Sequence, residues 1–130
     1  MILVLKTDQA ESYIGLHEEE LVKAEKSFEA GRDLARILLK TVDDMCHIAG
    51  SSAAEIAGIV CFAGPGSFTG LRISHAYANA LSYALNAPIV STSSEEWIKM
   101  GLDALKSGKN QVVITPMYGA EPHITPPRTY

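Results

Sequence analysis

The chain has 130 residues, a formal net charge of -4 at pH 7 and 47% apolar residues. That length suits one domain, and that apolar content excludes a disordered chain. No apolar run approaches the ~20 residues of a membrane span, and the acidic balance argues against a lone RNA binder, because phosphate recognition runs on clustered lysine and arginine.

Met1 to Leu5 is apolar but too short for a secretory signal and lacks a basic lead, so the expected location is the cytoplasm. Ile2 to Thr7 reads as a buried strand. Glu11 to His17 and Leu21 to Phe28 alternate in polarity, with short polar links at Asp8 to Ala10 and Glu18 to Glu20, which predicts a three-strand meander. Ala30 to Ala49 then takes a helical period. Leu34, Ile37, Leu38, Thr41, Met45 and Ile48 form its inner stripe, Arg32, Arg36, Lys40, Asp43 and His47 lie opposite, and Gly50 closes it.

Ile56 to Ala63 is nearly all apolar, as in a central strand covered on both faces. A second helix is expected from Thr69 to Asn86, with Pro88 marking its end, then a strand over Ile89 to Thr92. Ser93 and Glu96 form a capping-box pattern for a third helix, to about Lys106. Gln111 to Thr115 reads as a last strand. Residues 1–115 are expected to form one lobe and the proline-rich 116–130 an irregular tail. The order β-β-β-α-β-α-β-α-β implies a mixed α/β sheet with crossover helices. It resembles the ribonuclease H-like half-domain of the actin and Hsp70 superfamily, one candidate among several α/β sandwiches.

Gly64-Pro65-Gly66-Ser67-Phe68-Thr69-Gly70-Leu71-Arg72 joins a buried strand to a helix N-terminus, where anions are often held. Ser67 is placed to cap the helix. The turn is neither a Walker A loop nor a dinucleotide fingerprint, and Ser67 is not in a nucleophile elbow. Phosphate binding and a purely structural turn both remain open on chemistry alone.

The ten residues Gly64 to Ile73, Gly-Pro-Gly-Ser-Phe-Thr-Gly-Leu-Arg-Ile, resemble the signature of the TsaB (YeaZ) family. Ile2 to Thr7, Ala87-Pro88-Ile89-Val90 and Ser93-Ser94 resemble the strands around it. The resemblance implies an actin-like fold and a non-catalytic scaffold role in tRNA threonylcarbamoyladenosine modification. The implied partners are a TsaD-like catalytic subunit and a TsaE-like ATPase, with a homodimer when the chain is alone and tRNA reached only through the complex. No membrane role is implied. No cofactor is expected in the isolated chain, and ATP or ADP has a place only at the partner interface. Two departures stand out. The first strand ends Lys6-Thr7-Asp8 where the family has Asp-Thr-Ser or similar, and the family's second lobe is nearly all missing. Met117-Tyr118-Gly119 resembles, at most, the family's C-terminal segment.

The histidines His17, His47, His75 and His123 have no His-x-x-x-His spacing, which the resemblance makes the mark of a TsaD-type metal site. His47 and His75 are expected on solvated helix faces. Asp43-Asp44 and Glu95-Glu96 splay around their helices, and Cys46 and Cys61 read as buried thiols without a histidine partner. No catalytic or metal residue is therefore expected. The alternative is a nucleotide-binding or hydrolytic, protease-like enzyme built on the Gly64–Arg72 turn.

From Phe62 to Ser94 the only formally charged residue is Arg72. The second helix shows a narrow polar strip, Arg72, His75, Asn79, Ser82 and Asn86, and a wide apolar arc. Ala76, Ala80 and Ala84 recur at four-residue spacing. Ala35, Leu39, Val42 and Cys46 flank the stripe of the first helix. Either the two helices merely pack on each other, or they also expose a surface for a second protein. The expected partner surface comprises Ala35, Leu39, Val42, Cys46, Ala76, Tyr77, Ala80 and Tyr83.

Overall fold

The computed structural model describes residues 1–117. Among them lie five strands and three α-helices: β1 (Ile2–Lys6), β2 (Glu11–Glu18), β3 (Leu21–Glu29), α1 (Leu34–Ile48), β4 (Gly58–Phe62), α2 (Phe68–Leu85), β5 (Ile89–Thr92) and α3 (Trp97–Lys106). One sheet holds the strands in the order β3-β2-β1-β4-β5. The β1–β2 and β2–β3 pairs are antiparallel, and β4 and β5 continue the sheet in parallel. Both apolar runs expected inside the sheet, β1 and β4, are inner strands.

Alternation along β1 explains why helices cover both faces. Leu3 and Leu5 point to one side with Ile14, Leu16, Ile59 and Ile89, and there Leu38, Val42, Met45 and Cys46 of α1 and Ala78 of α2 close the main core. Val4, Val60, Phe62 and Val90 point to the other side, where Trp97 of α3 packs. The Phe62 and Trp97 rings meet edge to face at 5.7 Å.

The expected α1 boundary moves. A 3₁₀ turn at Gly31–Asp33 precedes the α-helix, which starts at Leu34. Ile48, assigned to the inner stripe, is 77% exposed, while Val42 and Cys46 are buried in its place. The core-facing arc of α1 is therefore rotated toward α2. Gly50 closes the helix as expected: its N–H bonds the His47 carbonyl and the Ser51 N–H bonds that of Cys46, with Gly50 at φ +76°.

Two further expectations fail. Gln111 to Thr115 is not a strand. Val112 takes φ +69°, which breaks an extended run, and the segment is held by side chains instead. The Gln111 N–H bonds the Ile89 carbonyl, the Asn110 Oδ1 accepts from the Ile89 N–H, and the Gln111 Oε1 accepts from the Ser91 N–H. Asn79 then grips Ile114 by both its amide atoms, at 2.9 Å each. The capping box at α3 does not form either. The Ser94 hydroxyl accepts from the Glu96 N–H at 3.2 Å, and the buried Ser93 hydroxyl has no partner among the described residues. Beyond Met117 the proline-rich tail, including Tyr118-Gly119 and His123, lies outside the described residues.

Gly101 lets α3 lie close on the sheet: a Cβ there would overlap the side chain of the buried Val60. Gly101→Ala gains about 1 kcal/mol of helix propensity, but overpacking a filled core costs about 1–3 kcal/mol. The second effect is larger here because Val60 has no exposed side to move toward. Urea unfolding should show a net loss of about 1 kcal/mol; a stabilised variant would mean that α3 lifts freely from the sheet.

Candidate functional site

The signature turn is built against the end of β1. Ser67 is the N-cap of α2, and its hydroxyl accepts from the Gly70 N–H at 3.4 Å, as the sequence suggested. The rest of the geometry comes from Thr7 and Asp8, which sequence reasoning left outside the site. The Thr7 hydroxyl donates to the Gly70 carbonyl at 2.7 Å, and the Ser67 N–H donates to the Asp8 carbonyl at 2.8 Å. A Cβ on Gly70 would collide with the Thr7 carbonyl, and one on Gly66 with Asp8. Both glycines thus serve backbone-to-backbone approach. Gly64 sits at φ +118° against the Met117 carbonyl, and the Gly64–Pro65 peptide is cis. Gly64 and Gly70 are buried, whereas Pro65, Gly66, Ser67, Phe68, Thr69 and Arg72 face solvent. The Arg72 guanidinium stacks over the Phe68 ring at 5.3 Å.

Asp8, the displaced acid, is almost fully buried and ion-pairs with Lys6 at 2.6 Å. The Lys6 ammonium also lies 4.5 Å above the Phe62 ring. Both charges of this pair are thus engaged within the fold. The hollow beside the turn, lined by Thr7, Gln9, Ser12, Ser67, Thr69 and Gly70 among others, has a volume of about 190 Å³ and, among the described residues, no charged side chain. That falls below the roughly 300–1,000 Å³ of small-molecule sites. Among the described residues no three His, Cys, Asp or Glu side chains come together in a metal-ligating group.

The polar strip expected on the outside of α2 is largely its inside. His75 and Ser82 are buried and Asn79 is half-buried, while Arg72 and Asn86 are exposed. His75, expected in solvent, is only 2% exposed and lies beside Cys61, with Nδ1 3.7 Å from Sγ. The sequence had shown no histidine partner for this cysteine. The pair nevertheless lacks the geometry of a nucleophile and its base. Nδ1 is 2.8 Å from the Leu71 carbonyl, which can only accept, so Nδ1 carries the proton. Nε2 then accepts from the Ser91 hydroxyl at 3.3 Å. Burial pushes the Cys61 thiol up to about 12, partly offset by its hydrogen bond with Ser74. A neutral thiol facing an N–H is a core contact.

The residues assigned to a partner surface divide. Val42 and Cys46 belong to the core, and Tyr77 is half-buried against it, beside Cys46 and Asp43 of α1. These three are corrected: the α1 arc that faces α2 is consumed by packing. Ala35 and Leu39 of α1 and Ala76, Ala80, Tyr83 and Ala84 of α2 remain exposed, Leu39 at 62% and Tyr83 at 90%.

His17 was also missed. It is 6% exposed, and among the described residues neither ring nitrogen has a hydrogen-bond partner. It sits on β2 facing the α3 side, where Gly15 leaves room for it. Its place at alternate spacing with Tyr13 and Gly15 is the only sequence signal that could have found it.

Two measurements follow from this geometry. Gly70→Ala should cost about 2–3 kcal/mol, since backbone must move, whereas Ser67→Ala should cost about 0.5–1 kcal/mol, because its cap bond is long and only part-buried. Equal losses in urea unfolding would show that the cap, and not the β1 contact, fixes the turn. Separately, burial holds both His17 and His75 below the ordinary histidine value of 6.5, against smaller raising effects from Glu25 and the Leu71 carbonyl respectively. The unfolded chain therefore takes up protons first as pH falls. This stabilisation is complete above about pH 6.5 and declines below it. The urea midpoint should fall between pH 7 and pH 5.5, and less so in His17→Phe; a flat profile contradicts the assignment.

Comparison with known proteins agrees with the architecture. The chain resembles the solved structure of YeaZ from Pseudomonas aeruginosa, with 29% identity, a TM-score of 0.65 and coverage of 71% of this chain and 43% of that one. A second structure, described as an uncharacterized protein with similarity to peptidase YEAZ from Pseudomonas aeruginosa, matches with the same identity and TM-score over 71% of this chain and 42% of the other. The chain thus spans less than half the length of these two relatives. The family model described as TsaD, tRNA N6-adenosine threonylcarbamoyltransferase, matches residues 28–111. That match takes in α1, the signature turn, α2 and α3 and covers more than half of the sequence, and the chain belongs to this family, with a fold of the YeaZ (TsaB) type.

Proposed function

We propose that this chain acts in tRNA threonylcarbamoyladenosine modification as a non-catalytic partner of a TsaD-like catalytic subunit, docking through the outer surface of α1 and α2. The observation that carries this reading is the exposed face of those helices. Leu39 and Tyr83 stand out from it, Ala35, Ala76, Ala80 and Ala84 leave it low, and Arg72 is the one formally charged residue of α2. A face of that kind has little to lose in water and admits a partner helix closely. Family membership supplies the pathway. The same face accounts for a homodimer when the partner is absent, and a TsaE-like ATPase, with ATP or ADP, acts on the assembled complex. tRNA contacts come from the partner, in keeping with the net charge of -4.

The non-catalytic role draws support from the site's chemistry. The thiol of Cys61 stays protonated against an N–H, Ser67 has no described base, and the hollow at the turn is small and uncharged. No observation favours the hydrolytic alternative over this one.

The test is reconstitution. The TsaD-like subunit should modify tRNA only when this chain is added, and the chain alone should hydrolyse neither ATP nor peptide. Ala76→Arg and Leu39→Asp should each weaken capture of that subunit at least ~10-fold while the melting temperature stays near that of the parent. Native affinity in both variants would place the docking surface elsewhere, and turnover by the purified chain alone would overturn the non-catalytic role.

A further inference from the structure

The opposite face of the sheet carries a second feature. Between α3 and the turn end of the β2–β3 hairpin runs a groove of about 690 Å³. Its walls are apolar. Ile98, Leu102 and Leu105 come from α3, at the i, i+4, i+7 spacing of one helix face, and Ile2, Ala57 and Pro88 lie on the facing side. All three α3 residues pack against the Val4, Val60 and Trp97 cluster but are only partly buried, so each keeps some surface open to the groove.

Its rim is acidic. Glu19 and Glu20 stand at the hairpin turn, and Glu95 and Glu96 at the start of α3, all exposed. Among the described residues none of the four has a cation within 4.0 Å. Two lysines share the groove, and one of them, Lys99, is already held by Asp103 at 3.1 Å. The remaining balance is negative.

His17 borders the same groove, with both ring nitrogens sealed from solvent and, among the described residues, not hydrogen-bonded. A buried imidazole without partners is a standing cost in the free protein.

We propose that this groove receives a basic amphipathic helix of another polypeptide, its apolar stripe laid along Ile98, Leu102 and Leu105 and its lysines or arginines set against Glu19, Glu20, Glu95 and Glu96. Helix in groove is the recognition mode that an apolar trough with i, i+4, i+7 anchors serves. The acidic rim selects the sign of the flanking charge and speeds encounter. This surface lies across the sheet from α1 and α2, so both can be occupied at once, and the inference does not rest on the proposed function.

The experiment uses the full chain and a labelled designed helix as the probe, with leucines at alternating three- and four-residue spacing and lysines on the other face. Fluorescence anisotropy should show binding that weakens as salt is added. Leu102→Asp should reduce the affinity at least ~10-fold. The paired exposed changes Glu20→Lys and Glu95→Lys, which touch no core residue, should do the same, and they keep the test open if Leu102→Asp fails to fold. His17→Phe, which removes an unsatisfied group from a buried place, should leave the melting temperature equal or higher and the affinity unchanged. A probe with glutamate for every lysine should not bind. The proposal is overturned if the glutamate probe binds equally, or if the charge reversals leave affinity unchanged. It is also overturned if the chain ignores both probes and instead forms a dimer that Glu20→Lys and Glu95→Lys abolish, which would give the groove to a second copy.

Discussion

The contact on which the rest of the fold depends is the meeting of two backbones, the end of β1 and the first turn of α2. Thr7 and Asp8 hold Gly70 and Ser67 by one side-chain and one main-chain hydrogen bond. Only glycine at 66 and 70 allows the approach. This contact sets where α2 begins, and the direction of its axis decides which residues reach the sheet. Leu71, Ser74, His75, Ala78 and Ser82 then face inward. The rotation leaves Ala76, Ala80, Tyr83 and Ala84 outside. A signature that reads like a ligand loop therefore determines the surface of a helix more than it determines a cavity.

The inward face of α2 is unusually polar, and this has a physical reason. A small hydroxyl on a helix can return its proton to the carbonyl one turn back, as Ser74 does to Leu71. Ser82 instead donates to the Ala87 carbonyl beyond the helix end, at 2.6 Å. His75 is satisfied by the Leu71 carbonyl and by Ser91 of β5. Each inward polar group is paired, so burial is tolerated, and small or apolar residues such as Ala76, Ala80 and Tyr83 can stand on the outside. The inner face of this helix thus mixes polar residues with Leu71 and Ala78, and Ile73, Leu81 and Leu85 pack beside it, with the buried Ser74, His75 and Ser82 all hydrogen-bonded.

That buried polarity marks the limit of what could be read from the residues alone. Strand positions, the β1 and β4 interior and the cap at Ser67 were legible because apolar runs, glycine and a capping hydroxyl act locally. The orientation of α2 was not, since it depends on Thr7, more than sixty residues away in the chain. Placing His75 in solvent followed from treating polarity as exposure, when local hydrogen bonds had removed that link. Val42 and Cys46 were misassigned for a related reason: two adjacent helices share a boundary, and the arc lost to that boundary is set by their packing. Val112 and Val113 look like strand, but the amides of Asn110 and Gln111 compete for the same backbone groups and win.

Those two amides also decide how the sheet can grow. The outward-facing N–H groups of Ile89 and Ser91 and the outward carbonyl of Ile89 are already occupied by residues 110 and 111. A strand arriving at β5 from another molecule would have to displace three hydrogen bonds before forming its own. The edge at β3 carries Lys23, Glu25, Lys26 and Glu29 and, among the described residues, no comparable cover. A sheet open at a single edge cannot propagate into a fibre by strand addition. Association by that route ends once two molecules have joined, however apolar their helices remain.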